Sequence, residues 1–324
     1  MALRVIEHRQ LLYIVAMFMI VQFLGLLLAS QIFSGATYVQ LSGAQIASGY
    51  FGTLFYIGYI VVVSAVLLLI FKFYKGDVLF KVLEFVVVVV SAFVFFLALY
   101  SAVLGNSYSA FFGNTGIYLA AAAALSAVCL MILKLLRPHL RNITAMISSV
   151  GVGLVLGISF GFYMALLFMF VLAIYDFVSV FITKHMIALG NMAINNNMSL
   201  MIMASEIEAV PKSSLSQKEQ KEYSAQKAGS GEIYEALKKN NLVPISARTA
   251  LGTGDLATPL MLAVSAYKVD LNFGLSFVIT VGAVLGILIT MYTLKRYKRP
   301  LPAIPFLLFG ILISLGVYYL YLAL

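Results

Sequence analysis

Charged side chains are scarce in this 324-residue chain: 10% of its residues are Asp, Glu, Lys or Arg, where a soluble domain carries about a quarter. With 63% apolar residues and a mean hydropathy of +1.03, a soluble globular fold is excluded and a polytopic membrane protein is left. Regular strand alternation is missing, which argues against a membrane barrel. The one cysteine, Cys129, rules out an intrachain disulfide. No internal repeat is visible, which weighs against a transporter built on duplicated halves. The three histidines, His8, His139 and His185, are scattered at membrane boundaries. They form no cluster of metal ligands, so no metal or cofactor is expected.

What is present is a series of apolar runs, each roughly the 18 to 25 residues that a helix needs to cross a hydrocarbon core. The spans fall near 11–30, 50–71, 79–103, 115–135, 142–159, 162–183, 249–267, 272–294 and 301–323. The fold class is therefore all-α, with nine transmembrane helices. Between the fifth and sixth spans there is no proline and little charge, so a tight turn is required near "GISFG", 157–161. The net charge of +9 could suggest nucleic acid, but the positions of the charges mark orientation instead. With the N-terminus in the cytoplasm, 20 of the 21 Lys and Arg residues lie inside, and only Lys268 lies outside. The C-terminus is then outside, and no nucleic-acid partner is expected. The basic N-terminus followed by an apolar run has the look of a signal peptide. The run continues past a typical h-region and lacks an A-x-A end, so it reads as a retained first span.

The long polar stretch at 184–248 divides the chain into a six-helix part, 1–183, a flexible cytoplasmic loop, 184–248, and a three-helix part, 249–324. The middle of the loop is rich in Ser, Lys, Glu and Gln, a composition unable to bury a core of its own. A short helix is expected at "GEIYEALKKN", where acidic residues precede lysines as the helix dipole prefers. The loop begins with "MIALGNMAINNNMSLMIMA", apolar and interrupted by asparagines. It reads either as a segment on the membrane surface covering an opening or as a continuation of the sixth span.

An ionisable residue within the membrane is costly and marks a functional candidate. Glu84, three residues past Lys81, reads as an interfacial side chain reaching the headgroups. Asp176, in "AIYDFVSVF", lies eight residues before Lys184, and Asp255 lies seven residues after Arg248. At 1.5 Å per helical residue both stand about 10–12 Å from the cytoplasmic boundary. Their spans run in opposite directions, so side-by-side packing brings the carboxylates face to face. Two close carboxylates in a poorly solvated site share one proton and titrate as a unit. The charged member can take a proton from water while the neutral member polarises a peptide carbonyl. That chemistry needs no metal.

Two further stretches surround this pair. In "LGTGDLATPL" (251–260), Gly252 and Gly254 allow close approach and expose backbone. In "RPLPAIPF" (299–306), three prolines, each lacking a backbone donor, predict a locally extended stretch with free backbone groups at the start of the ninth span. Gly153, Gly157 and Gly161 recur every four residues and are read as ordinary helix-packing positions.

These residues resemble the presenilin and signal peptide peptidase group of GxGD intramembrane aspartyl proteases, and within it the archaeal presenilin homologues. Tyr175 and Asp176 correspond to the family's YD motif, and Gly252, Thr253, Gly254 and Asp255 to GxGD. Pro302, Ala303 and Ile304 stand where the family has Pro-Ala-Leu, with Pro305 following; Ile304 is a departure that bears on fine packing. The resemblance implies cleavage of single-span helical or signal-peptide-like substrates in the bilayer, with Asp176 and Asp255 as the catalytic pair. It implies a multi-pass protein, expected in the cell membrane, and accessory subunits are not expected. An unwound substrate would be held as an added strand at the free edge near Pro302.

A proton- or cation-coupled transporter or channel would also use two intramembrane aspartates, but it assigns no role to Gly252, Gly254 or the proline-rich stretch. A prepilin-type peptidase shares a GxGD motif; the Pro-Ala-Ile segment and the long loop argue against it.

Overall fold

The computed structural model describes residues 2–34, 77–112, 115–182, 198–211, 242–297 and 301–323. The chain divides into two compact units, residues 1–14 with 203–250 and residues 15–202 with 251–324.

The described part of the first unit comprises the opening turns of helix α1 (Ala2–Ser34) and most of two paired strands, β1 (Met201–Pro211) and β2 (Leu242–Gly252). The Thr253 N–H bonds to the Leu200 carbonyl, so β1 begins where β2 ends and the strands run antiparallel. The chain is mostly helical, as expected for an all-α membrane protein, but both ends of the stretch read as a flexible loop carry strand. The signal was there at period two, in Ile207 and Ala209 alternating with Glu206 and Glu208, and in Val243, Ile245 and Ala247 alternating with more polar neighbours. The helix expected at 231–240 and the span near 50–71 lie outside the described residues.

The second unit is helical. It contains the rest of α1 with α2 (Asp77–Phe112), α3 (Thr115–Leu136), α4 (Arg141–Ser159), α5 (Phe162–Phe177), α6 (Thr253–Asp270), α7 (Phe273–Tyr297) and α8 (Ile304–Ala323). Seven helices among the described residues are long and apolar enough to cross a membrane: α1 to α5, α7 and α8. The turn required between the fifth and sixth spans is made by Phe160 and Gly161, whose extended backbones separate α4 from α5.

Helix α6 is the centre of this unit. It packs against α4, α5, α7 and α8, and every residue from Leu256 to Tyr267 is buried. A helix enclosed by other helices meets little lipid, which explains why α6 tolerates Thr258 and Ser265 and is less apolar than its neighbours. Close approach requires small residues on the facing helices. A Cβ on Gly153 would come within 2.7 Å of Leu260, and one on Gly157 within 2.6 Å of Val264. Those two glycines are helix-packing positions as expected; Gly161 is not, since it caps α5 and a Cβ there would meet no described atom within 4 Å. On α1, Gly25 likewise faces Leu260, and Gln22 donates from Nε2 to the Leu256 carbonyl at 3.0 Å.

Glu84 departs from its reading as an interfacial residue. It is 2% exposed and accepts a hydrogen bond from Lys134 Nζ at 2.6 Å. Lys134 ends α3 and is itself 5% exposed. Spacing along one helix suggested a side chain reaching outward; packing of α2 against α3 supplies the cation that allows it to stay inside.

Candidate active site

Asp255 occupies the first turn of α6, where β2 gives way to helix. Its Oδ2 accepts the N–H of Gly252, the residue capping the helix, at 3.3 Å. An acidic side chain reaching back to the cap is the reciprocal half of a capping box, so the helix start itself holds the carboxylate in one orientation. Gly252 has φ −65° and ψ 146°, a conformation open to any residue. What restricts the position is space: a Cβ would lie 3.2 Å from Asp255 Oδ2. Gly254 is exposed, and a Cβ there would meet no described atom within 4 Å. Thr253 anchors the start of α6 by donating from both N–H (3.0 Å) and Oγ1 (3.2 Å) to the Leu200 carbonyl. Pro259 has no N–H, so the Asp255 carbonyl lacks its donor one turn further along.

Asp176 lies in the last turn of α5 and is 6% exposed. Directly after it the helix widens into a π turn, Val178–Ile182, and Ser179 Oγ donates to the Asp176 carbonyl at 2.9 Å. Asp176 Oδ2 accepts the N–H of Ile304 at 3.2 Å, and the Ala303 N–H is directed at the same carboxylate. Pro302, Ala303 and Ile304 are buried, and Pro305 is half-buried. The proline-rich stretch therefore does not leave these two donors free. They belong to the unsatisfied N–H groups at the start of α8, and Asp176 takes them up.

The structure thus places Asp176 against Ala303 and Ile304, and Asp255 against Gly252 beside Thr253, at the ends of helices α5, α8 and α6 that pack on one another. Tyr175, next to Asp176, is 42% exposed. Sequence reasoning missed Gln22, which bonds to α6 just beyond Asp255, and Pro259, which lies within that helix. A glutamine in the middle of an apolar span and a proline inside a helix are both visible signals, yet neither says which neighbour it meets.

Helices long and apolar enough to cross a membrane, with two carboxylates among them each held by backbone donors at a helix start, define a polytopic membrane protein with anchored intramembrane acids. Residues 15–322 match the family described as "Signal-peptide peptidase, presenilin aspartyl protease", and the chain belongs to it. It is an intramembrane aspartyl protease, a hydrolase that acts on transmembrane substrates within the bilayer, and an integral multi-pass membrane protein. Its fold is similar to two solved structures of a presenilin family intramembrane aspartate protease. One, in space group C222, has a TM-score of 0.56 and 21% identity, covering 95% of this chain and 96% of that one. The other, in space group P2, has a TM-score of 0.57 and 22% identity, covering 94% of each. No curated protein matches the chain. The transporter reading finds no support in these comparisons.

Proposed function

We propose that Asp176 and Asp255 are the catalytic pair and hold one proton between them. The ionised carboxylate accepts a proton from water as the water oxygen bonds to the scissile carbonyl carbon. The protonated carboxyl gives its proton to the carbonyl oxygen, forming a gem-diol. Collapse of the diol breaks the C–N bond, with one proton passing to the departing amine nitrogen and one left on the pair. The observation that carries this reading is the packing of α5 and α8 on α6, the helices that carry and anchor two acids from distant parts of the chain, each already oriented by a backbone N–H.

A helical substrate hides its peptide bonds, so the segment to be cut must unwind. Among the described residues β2 pairs with β1 and runs directly into Gly252; an unwound substrate adds beside Leu251 and Gly252 as a further strand. Exposed Gly254 leaves room for its backbone. Pro302 and Pro305 shape the stretch whose donors hold Asp176, so their part is to orient the acid more than to hold substrate, and Tyr175 borders the same site. The substrates are transmembrane or signal-peptide-like segments.

The chain spans the bilayer nine times, N-terminus in the cytoplasm and C-terminus outside, in the cell membrane, with 184–248 joining a six-helix and a three-helix part. The charge distribution supports this orientation. The enzyme works without accessory subunits. The test uses purified protein in lipid with a single-span substrate: Asp176→Asn and Asp255→Asn should each abolish cleavage while leaving the thermal midpoint near that of the parent. Cleavage surviving either change would rule out the pair.

A further inference from the structure

We propose that the buried Glu84–Lys134 pair is a positioning device for the active site, setting the height at which α6 begins and so where Asp255 stands; this rests on Asp255 being catalytic. Both side chains are almost fully enclosed. Stability alone is a poor account of such a pair, because the cost of desolvating two charges commonly cancels their attraction. The informative feature is a third partner. Glu84 Oε1 accepts not only Lys134 Nζ but also the backbone N–H of Ser199, a residue with no exposure at all.

Ser199 belongs to the turn at 199–200 that precedes β1. The next carbonyl, that of Leu200, receives both the N–H and the hydroxyl of Thr253. Thr253 is the first residue of α6, and its neighbour Gly252 donates to Asp255. The connection therefore runs from α3 and α2, through one backbone turn, to the helix start that orients the acid. Lys134 holds Glu84, Glu84 holds the turn, and the turn holds Thr253. The Ser199 hydroxyl has no hydrogen-bond partner among the described residues, so the backbone amide is the group through which this residue acts. On the opposite side of the site, Asp176 is held by the start of α8. Each acid thus has its own anchorage, and the distance between them depends on both.

Two double variants separate this role from simple packing. Glu84→Gln with Lys134→Met removes both charges and retains an acceptor for the Ser199 N–H. Glu84→Leu with Lys134→Met removes the charges and the acceptor together. With a single-span substrate in lipid, the Gln/Met protein is expected within about threefold of the parent in kcat. The Leu/Met protein is expected to lose roughly tenfold or more in kcat with KM within about twofold, the pattern of a misplaced catalytic group. Amide exchange at Thr253, whose N–H bonds to Leu200, should be faster in the Leu/Met protein than in the Gln/Met protein. Equal kcat in the two doubles, or equal exchange at Thr253, would overturn the proposal. If the Leu/Met protein cannot be purified folded, Thr253→Val decides. It deletes one of the two bonds to the Leu200 carbonyl and should lower kcat about threefold at constant KM, whereas unchanged kcat refutes the connection. Exchange reads this anchorage whether or not the acids cut peptide, so its failure and failure of the catalytic pair give different results.

Discussion

Replacing Gly252 with alanine adds a single methyl group in a backbone conformation that alanine adopts freely, φ −65° and ψ 146°, so no backbone strain is introduced. The methyl carbon would stand 3.2 Å from Asp255 Oδ2 and 3.7 Å from its Cγ. Ordinary contact needs a few tenths of an ångström more, and the group that must yield is the carboxylate. The Gly252 N–H to Oδ2 bond is already 3.3 Å, so this retreat breaks it. A hydrogen bond to a charged group contributes about 1.5–3 kcal/mol. If that orientation is needed in the transition state, kcat falls roughly ten- to hundredfold. The assay is cleavage of a single-span substrate in proteoliposomes, with products identified by mass and kcat and KM determined separately. Gly254→Ala is the companion, since its methyl would meet no described atom within 4 Å. It should leave the thermal midpoint unchanged and act, if anywhere, on KM. A Gly252→Ala enzyme with kcat within twofold of the parent would refute the reasoning.

Ile304→Leu, which installs the residue usual in the family, should change kcat by less than about threefold, because Asp176 meets the backbone N–H at this position and the side chain keeps its volume; a larger loss in the same cleavage assay would show that the side chain matters. Gly310→Ala should destabilise the protein by about 1–3 kcal/mol through overpacking, since its Cβ would fall 2.3 Å from the Gly282 carbonyl oxygen and 2.7 Å from the Gly286 nitrogen. A thermal midpoint in detergent that does not fall would contradict that packing of α7 on α8. Because the proposed mechanism needs one proton on the pair, activity should decline on the alkaline side once both carboxylates are ionised. A rate that keeps rising well past neutral pH argues against a shared proton.

Much of the site was legible because membrane burial makes acids rare. Asp176 and Asp255 stood out against apolar surroundings, and their similar distance from flanking basic residues predicted a common depth. Glu84 showed the limit of that logic: its distance from Lys81 along α2 suggested an outward path, whereas the cation that holds it is Lys134 on another helix. The glycines divided in the same way. Spacing of four predicted packing for Gly153, Gly157 and Gly161, yet only the first two face α6, because the chain turns at Phe160 before reaching the third. The strands were obscured by a polar composition averaged over 184–248, although alternation at 205–210 and 243–248 was present.

By itself the sequence determined that this protein lives in a membrane and that Asp176 and Asp255 interrupt apolar stretches, since these follow from transfer free energies that each residue carries with it. Tertiary structure decided who holds those acids: Gly252 for Asp255, the start of α8 for Asp176, and a turn anchored to Glu84 for Thr253. Such contacts join residues far apart in the chain through backbone N–H and C=O groups that every residue possesses. Their identity is therefore written in geometry and not in side-chain type.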